Sequence, residues 1–168
     1  AWAGLVALVV LASYPYLAPR FTQVDPGPLP VALLQPAGAD APQITILDNE
    51  IAMPTEITPT LTLSLTWQAL EPIAEDYTAF VHLLGEDNAK AAQIDTRPCE
   101  GECPTDGWQP GRIIADRYEF TLAPDVAAEL LHAPPGLYRL AVGLYLLDTG
   151  ERVAVVGRED GTVFLNVP

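Results

Sequence analysis

Eight consecutive residues, Thr60-Leu61-Thr62-Leu63-Ser64-Leu65-Thr66-Trp67, restrict the fold more than any other part of the chain. Apolar side chains take the odd positions and hydroxyls the even ones, so an extended strand puts Leu61, Leu63, Leu65 and Trp67 on one face. Wound into a helix, the same four would scatter around the axis, and the β-branched threonines favour a pleated surface. Burying each leucine is worth roughly 1.5–3 kcal/mol, so this face requires an apolar layer opposite it.

The rest of the chain supplies that layer in short pieces. Residues 43–47 predict a first strand, and residues 76–84 an interior strand, since Tyr77, Ala79, Val81 and Leu83 alternate with Thr78, Phe80, His82 and Leu84 and leave both faces largely apolar. Gly85-Glu86-Asp87-Asn88 has turn chemistry, returning the chain antiparallel over residues 91–95. An irregular loop, 96–111, precedes another alternating run at 113–122, with Ile114, Tyr118, Phe120 and Leu122 on one face. Residues 124–132 predict a short helix stopped by Pro134-Pro135-Gly136. Residues 137–147 read as a long apolar strand, Asp148-Thr149-Gly150-Glu151 as a turn into a strand at 152–156, and 162–167 as the last strand. Seventeen prolines and twelve glycines against one methionine fit many turns and little helix. At 168 residues the expectation is one all-β domain, a two-layer antiparallel β-sandwich of about eight strands, Ig-like or jelly-roll-like, spanning 43–168.

The chain begins with an uncharged stretch that ends at Pro15, and no charge occurs before Arg20. A helix over residues 1–14 would reach about 21 Å, short of the roughly 30 Å hydrocarbon layer, which suits the outer part of a membrane span. Trp2, Leu5, Leu8, Leu11 and Tyr14 are the expected membrane-facing residues, with the aromatics at the interfaces. A signal peptide and a buried soluble helix are the competing readings; the first lacks its basic segment. Residues 1–18 are therefore expected to form a membrane helix or its outer part. Residues 19–42, with six prolines and two glycines, are expected to be a semi-rigid linker.

The formal charge of -14, with eight basic residues scattered singly, excludes a nucleic-acid footprint. Cys99 and Cys103 form either a local disulfide or half a metal site. With no third cysteine, and with His82 and His132 distant in sequence, the disulfide is favoured and places the domain in an oxidising, extracytoplasmic compartment. No cofactor is expected.

Leu65-Thr66-Trp67, then residues 77–84, Trp108-Gln109-Pro110-Gly111, Asp116-Arg117-Tyr118, Pro135-Gly136-Leu137-Tyr138-Arg139-Leu140 and Val142-Gly143-Leu144-Tyr145 form a pattern. It resembles the C-terminal extramembrane domain of bacterial multi-span glycosyltransferases similar to the dolichyl-phosphate-mannose-dependent mannosyltransferases, family 39. The resemblance covers residues 43–167. It implies an accessory role, because that family's catalytic acids lie in membrane-domain loops this sequence does not contain, so no catalytic residue carries over. The Cys99–Cys103 insertion and the helical segment 126–131 depart from the family pattern.

Trp108, with Asp95, Arg97 and Asp116, is the candidate ligand site: an indole covers the apolar face of a pyranose while charged groups hold its hydroxyls. Its structural counterpart is a tryptophan plugging the end of the sandwich. Leu146-Leu147-Asp148-Thr149-Gly150 matches the aspartic-protease signature, yet one copy between apolar runs is also a hairpin turn. His82 inside a strand is read as a sheet-face or core histidine rather than a base, and Ser13 and Ser64 are poorly placed for a nucleophile.

Two functional expectations follow. One is a non-catalytic, membrane-anchored accessory domain contacting glycan or a lipid-linked sugar. The other is a structural subunit packing its apolar N-terminus among other membrane-protein subunits or into a filament.

Overall fold

The computed structural model describes residues 30–158 and 160–168. The expected membrane helix, with Trp2, Leu5, Leu8, Leu11 and Tyr14, and the linker up to residue 29 lie outside them. Among the described residues no helix is long and apolar enough to cross a membrane.

Two antiparallel sheets form a β-sandwich. In one, Ile44–Ala52 (β2) is the middle strand, with Thr60–Ala69 (β3) and then Ile113–Thr121 (β6) on one side and Ala32–Gln35 (β1) and then Ala154–Val155 (β8) on the other. The other sheet has the order Lys90–Thr96 (β5), Thr78–Leu84 (β4), Arg139–Tyr145 (β7) and Val163–Asn166 (β9). The period-two pattern of β3 is realised as written, with Leu61, Leu63, Leu65 and Trp67 at 0–1% exposure. Ala79, Val81 and Leu83 of β4, Leu140, Val142 and Leu144 of β7, and Val163 and Leu165 of β9 complete the core from the opposite layer. The helix Pro124–His132 (α1) starts with proline, whose missing N–H costs nothing in a first turn, and buries Ala127 and Leu130 at helical spacing.

Three expectations need correction. Residues 32–35 were expected to be linker, yet they form β1, pairing Leu34 with Ile44 and with Val155; at 0% exposure Leu34 gains more from burial than a spacer could offer. The strand expected at 43–47 runs on to Ala52, passing a register shift between Ile46 and Asp48. The strand expected at 152–156 is the two-residue β8, and it joins the sheet opposite to the one containing β7. After β7 the chain therefore turns at Asp148-Thr149-Gly150, where Gly150 takes φ 72° and its N–H donates to the Leu146 carbonyl. It visits the five-stranded sheet at β8, then returns to β9. On its way to and from β8 the chain lays Arg152 over the Phe80 ring and Gly161 against Gly143, on the solvent side of the four-stranded sheet, and this strap shapes the site described next.

Candidate functional site

The four residues expected to gather around a ligand fall in three places. Asp116 lies directly across from Leu65 in the β3–β6 register, so its side chain enters the core face and is 3% exposed. It is saturated there. Its Oδ2 accepts from the Tyr118 hydroxyl at 2.5 Å and the Trp67 indole N–H at 3.3 Å, and its Oδ1 from the backbone N–H groups of Cys99 and Arg117, both at 2.9 Å. Burial first, and the Asp116 charge second, push the Tyr118 phenol well above its ordinary pKa, so it stays a donor. Among the described residues, no buried side-chain polar atom lacks a partner.

Trp108 belongs to this same knot. Its ring centre lies 6.5 Å from that of Trp67, its N–H donates to the Cys103 carbonyl at 3.1 Å, and it is 2% exposed. A ring packed on both sides has no face to lay on a pyranose, so Trp108 and Asp116 hold the end of the sandwich together instead of facing a ligand. Cys99 and Cys103 form the expected disulfide beside them. On the chain-entropy account a ring this small adds at most about 2 kcal/mol. Its larger effect is to aim the Cys99 N–H at Asp116. Arg97 is ion-paired to Asp76 at 2.6 Å, on the border of a different hollow.

Asp95 sits elsewhere, on the solvent side of the four-stranded sheet, and a different constellation surrounds it. Alternation sends Phe80 and His82 of β4, and Arg139, Ala141, Gly143 and Tyr145 of β7, outward from the core, with Phe164 of β9 beside them. Small residues at 141 and 143 leave a trough, and the strap fills part of it. A Cβ on Gly143 would lie 2.5 Å from both the Gly161 carbonyl oxygen and the Phe80 ring, so only glycine admits this crossing. Gly161 itself takes φ 61°.

What remains open is a groove. One hollow of ≈ 300 Å³ is bordered by Phe80, His82, Asn88, Arg139, Arg152 and Phe164; a second of ≈ 210 Å³ is bordered by Phe80, His82, Asp95, Tyr145 and Arg152. The three shared residues make them neighbours along one track.

The groove's arginines are ordered by aromatic rings. The Arg152 guanidinium lies 4.5 Å from the Phe80 ring centre and donates to the Thr162 hydroxyl at 3.1 Å. Arg139 lies 4.4 Å over Phe164 and donates to the Asn88 side-chain oxygen. Between them, His82 Nε2 is 3.5 Å from an Asp95 carboxylate oxygen. Burial lowers the His82 pKa; the Asp95 charge opposes that shift, while Lys90 and Arg152 add to it. The imidazole is therefore neutral at pH 7 and able both to donate and to accept. Burial and the Asp95 charge raise the Tyr145 phenol, so it too stays protonated.

Other hollows carry less chemistry. One of ≈ 430 Å³ between residues 35–39 and 154–157 has no titratable lining side chain. One of ≈ 340 Å³ near Asp148 is bordered by Glu75 and by the Arg97–Asp76 pair. Among the described residues no cluster of three or more His, Cys, Asp or Glu side chains could hold a metal ion.

Sequence reading named Asp95, but as a partner of Trp108, and missed the groove. A signal was present: an interior strand with Phe80 and His82 on its second face, opposite a β7 face of Ala141 and Gly143, implies that something crosses or docks there. No family model matches the chain, and no curated protein matches it.

Proposed function

We propose that this chain is a non-catalytic, extracytoplasmic β-sandwich accessory domain of a glycosyltransferase-like membrane protein, anchored through its apolar N-terminus, and that it contacts glycan through the groove on the four-stranded sheet. The observation that carries this reading is the groove itself. Its two adjoining hollows are edged by His82, Asp95, Asn88 and Tyr145, which offer the paired donors and acceptors that sugar hydroxyls require, while Phe80, 2% exposed beneath Arg152, steadies that arginine. The Cys99–Cys103 disulfide supports an oxidising compartment, and the apolar run of residues 1–14 supports a membrane anchor.

The test is a glycan array probed with the full chain in detergent micelles. Binding is expected, with His82→Ala and Asp95→Ala each weakening it about tenfold and Glu119→Gln, on the β6 edge, leaving it unchanged. An array on which the folded wild-type chain binds nothing contradicts the reading and favours a structural subunit.

A further inference from the structure

Resting on the glycan-contacting reading, we propose that the groove selects anionic sugars, with Arg139 and Arg152 together gripping a carboxylate or phosphate carried on a pyranose. Four of the chain's eight basic residues, Lys90, Arg139, Arg152 and Arg158, gather at this one face of a molecule whose formal charge is -14. Surplus carboxylates repel anions generally, but screening over about 8–10 Å leaves the local cations in control of a ligand held in the groove.

The arginines are poised rather than used. The ion pairs among the described residues join Arg97 to Asp76 and Arg117 to Glu119, the Asp95 carboxylate faces the neutral His82 ring, and neither Arg139 nor Arg152 has a carboxylate partner in this set. Each is instead steadied by a ring beneath it and by one neutral acceptor, Asn88 or the Thr162 hydroxyl, with Arg152 also pointing an N–H at the Asp160 carbonyl at 3.4 Å. A guanidinium has five N–H donors in a planar fork, so both retain edges for a planar or tetrahedral anion, and little side-chain freedom is left to lose on binding. Among the described residues of the strap, the Asp160 carboxylate accepts from the Thr162 backbone N–H at 3.2 Å. His82 and Asp95 stand next along the track, where the hydroxyls of the same sugar would lie. A purely neutral glycan would leave the two forks without an acceptor once water is displaced, and such unpaired buried donors oppose binding.

The experiment is calorimetric titration of the full chain in micelles with three probes: an oligogalacturonide, its carboxyl-reduced neutral counterpart and mannose 1-phosphate. At least one anionic probe is expected to bind ten times or more tightly than the neutral oligosaccharide, and which of them does so separates a uronate from a phosphosugar ligand. Raising salt from about 50 to 500 mM should weaken that binding several-fold. Arg139→Gln with Arg152→Gln should abolish the preference, while Arg152→Lys, which keeps the charge and loses the fork, should lose most of it. The salt series needs no variant, so it stands even if the double substitution fails to fold. Equal binding of the neutral and anionic oligosaccharides overturns the selectivity and leaves the glycan-contacting reading standing. Binding of none of the probes or array glycans overturns both.

Discussion

Replacing Asp116 with alanine is expected to destabilise the domain by about 3–5 kcal/mol, the range for removing one partner from a buried charged network. One carboxylate satisfies four donors: the Trp67 indole, the Tyr118 hydroxyl and the backbone N–H groups of Cys99 and Arg117. Alanine fills none of these roles, and each donor left buried and unpaired costs roughly 1–3 kcal/mol, softened where water can enter. The loss is not confined to β6, because Cys99 ties the disulfide turn to the sheet through the same carboxylate. Chemical denaturation is the measure: the transition midpoint should drop sharply, and asparagine at 116, which keeps the volume and one acceptor oxygen, should fall between. An alanine variant as stable as wild type would mean that the knot is not formed in solution.

Gly143→Ala is the second large effect, for a steric reason. The added methyl would lie 2.5 Å from the Gly161 carbonyl oxygen on one side and the Phe80 ring on the other. Backbone cannot rotate away as a flexible side chain can, so the strap must lift or β7 must shift. Overpacking of this kind costs roughly 1–3 kcal/mol, and with backbone on one side the upper end is expected. Displacing the Phe80 ring also removes the support beneath Arg152, so glycan binding should fall along with stability. Paired measurements of the denaturation midpoint and of binding distinguish this from Asp116→Ala, which acts at the far layer and is expected to lower stability while leaving the affinity of the folded fraction alone. Wild-type stability in Gly143→Ala would show that the strap does not cross the sheet at this point.

The core was legible because its signal is local. In β3 and β6, alternation puts apolar residues on one face within a single short window, and no distant information is needed to read it. Helix α1 was similarly plain, with Pro124 at its start and Pro134-Pro135-Gly136 after its end. What escaped depends on partners far away in the chain. β1 is four residues inside a proline-rich stretch, and only its pairing with β2 and β8 makes it a strand. β8 is two residues long and belongs to the sheet opposite β7, a choice that no property of residues 152–156 announces.

The candidate site shows the same division. Asp116 and Trp108 looked like ligand groups because a carboxylate and an indole near a loop suit a sugar; that the first faces the core follows from its register opposite Leu65, and the second is enclosed by the disulfide turn. The groove draws on residues 80–95, 139–145 and 152–164, so its arginines, scattered singly in the sequence, become a cluster only when the strap folds across the sheet.

The account stands on one claim, that the working surface is the outer face of the four-stranded sheet. Backbone chemical-shift mapping of the labelled chain during titration with the tightest-binding glycan tests it most directly. The predicted result is perturbation confined to β4, β5, β7, the turn at Asn88 and the stretch 152–164, with residues 99–108 unmoved. Perturbation centred on Cys99 to Trp108, with the signals of Phe80, His82 and Arg152 unchanged, would contradict it.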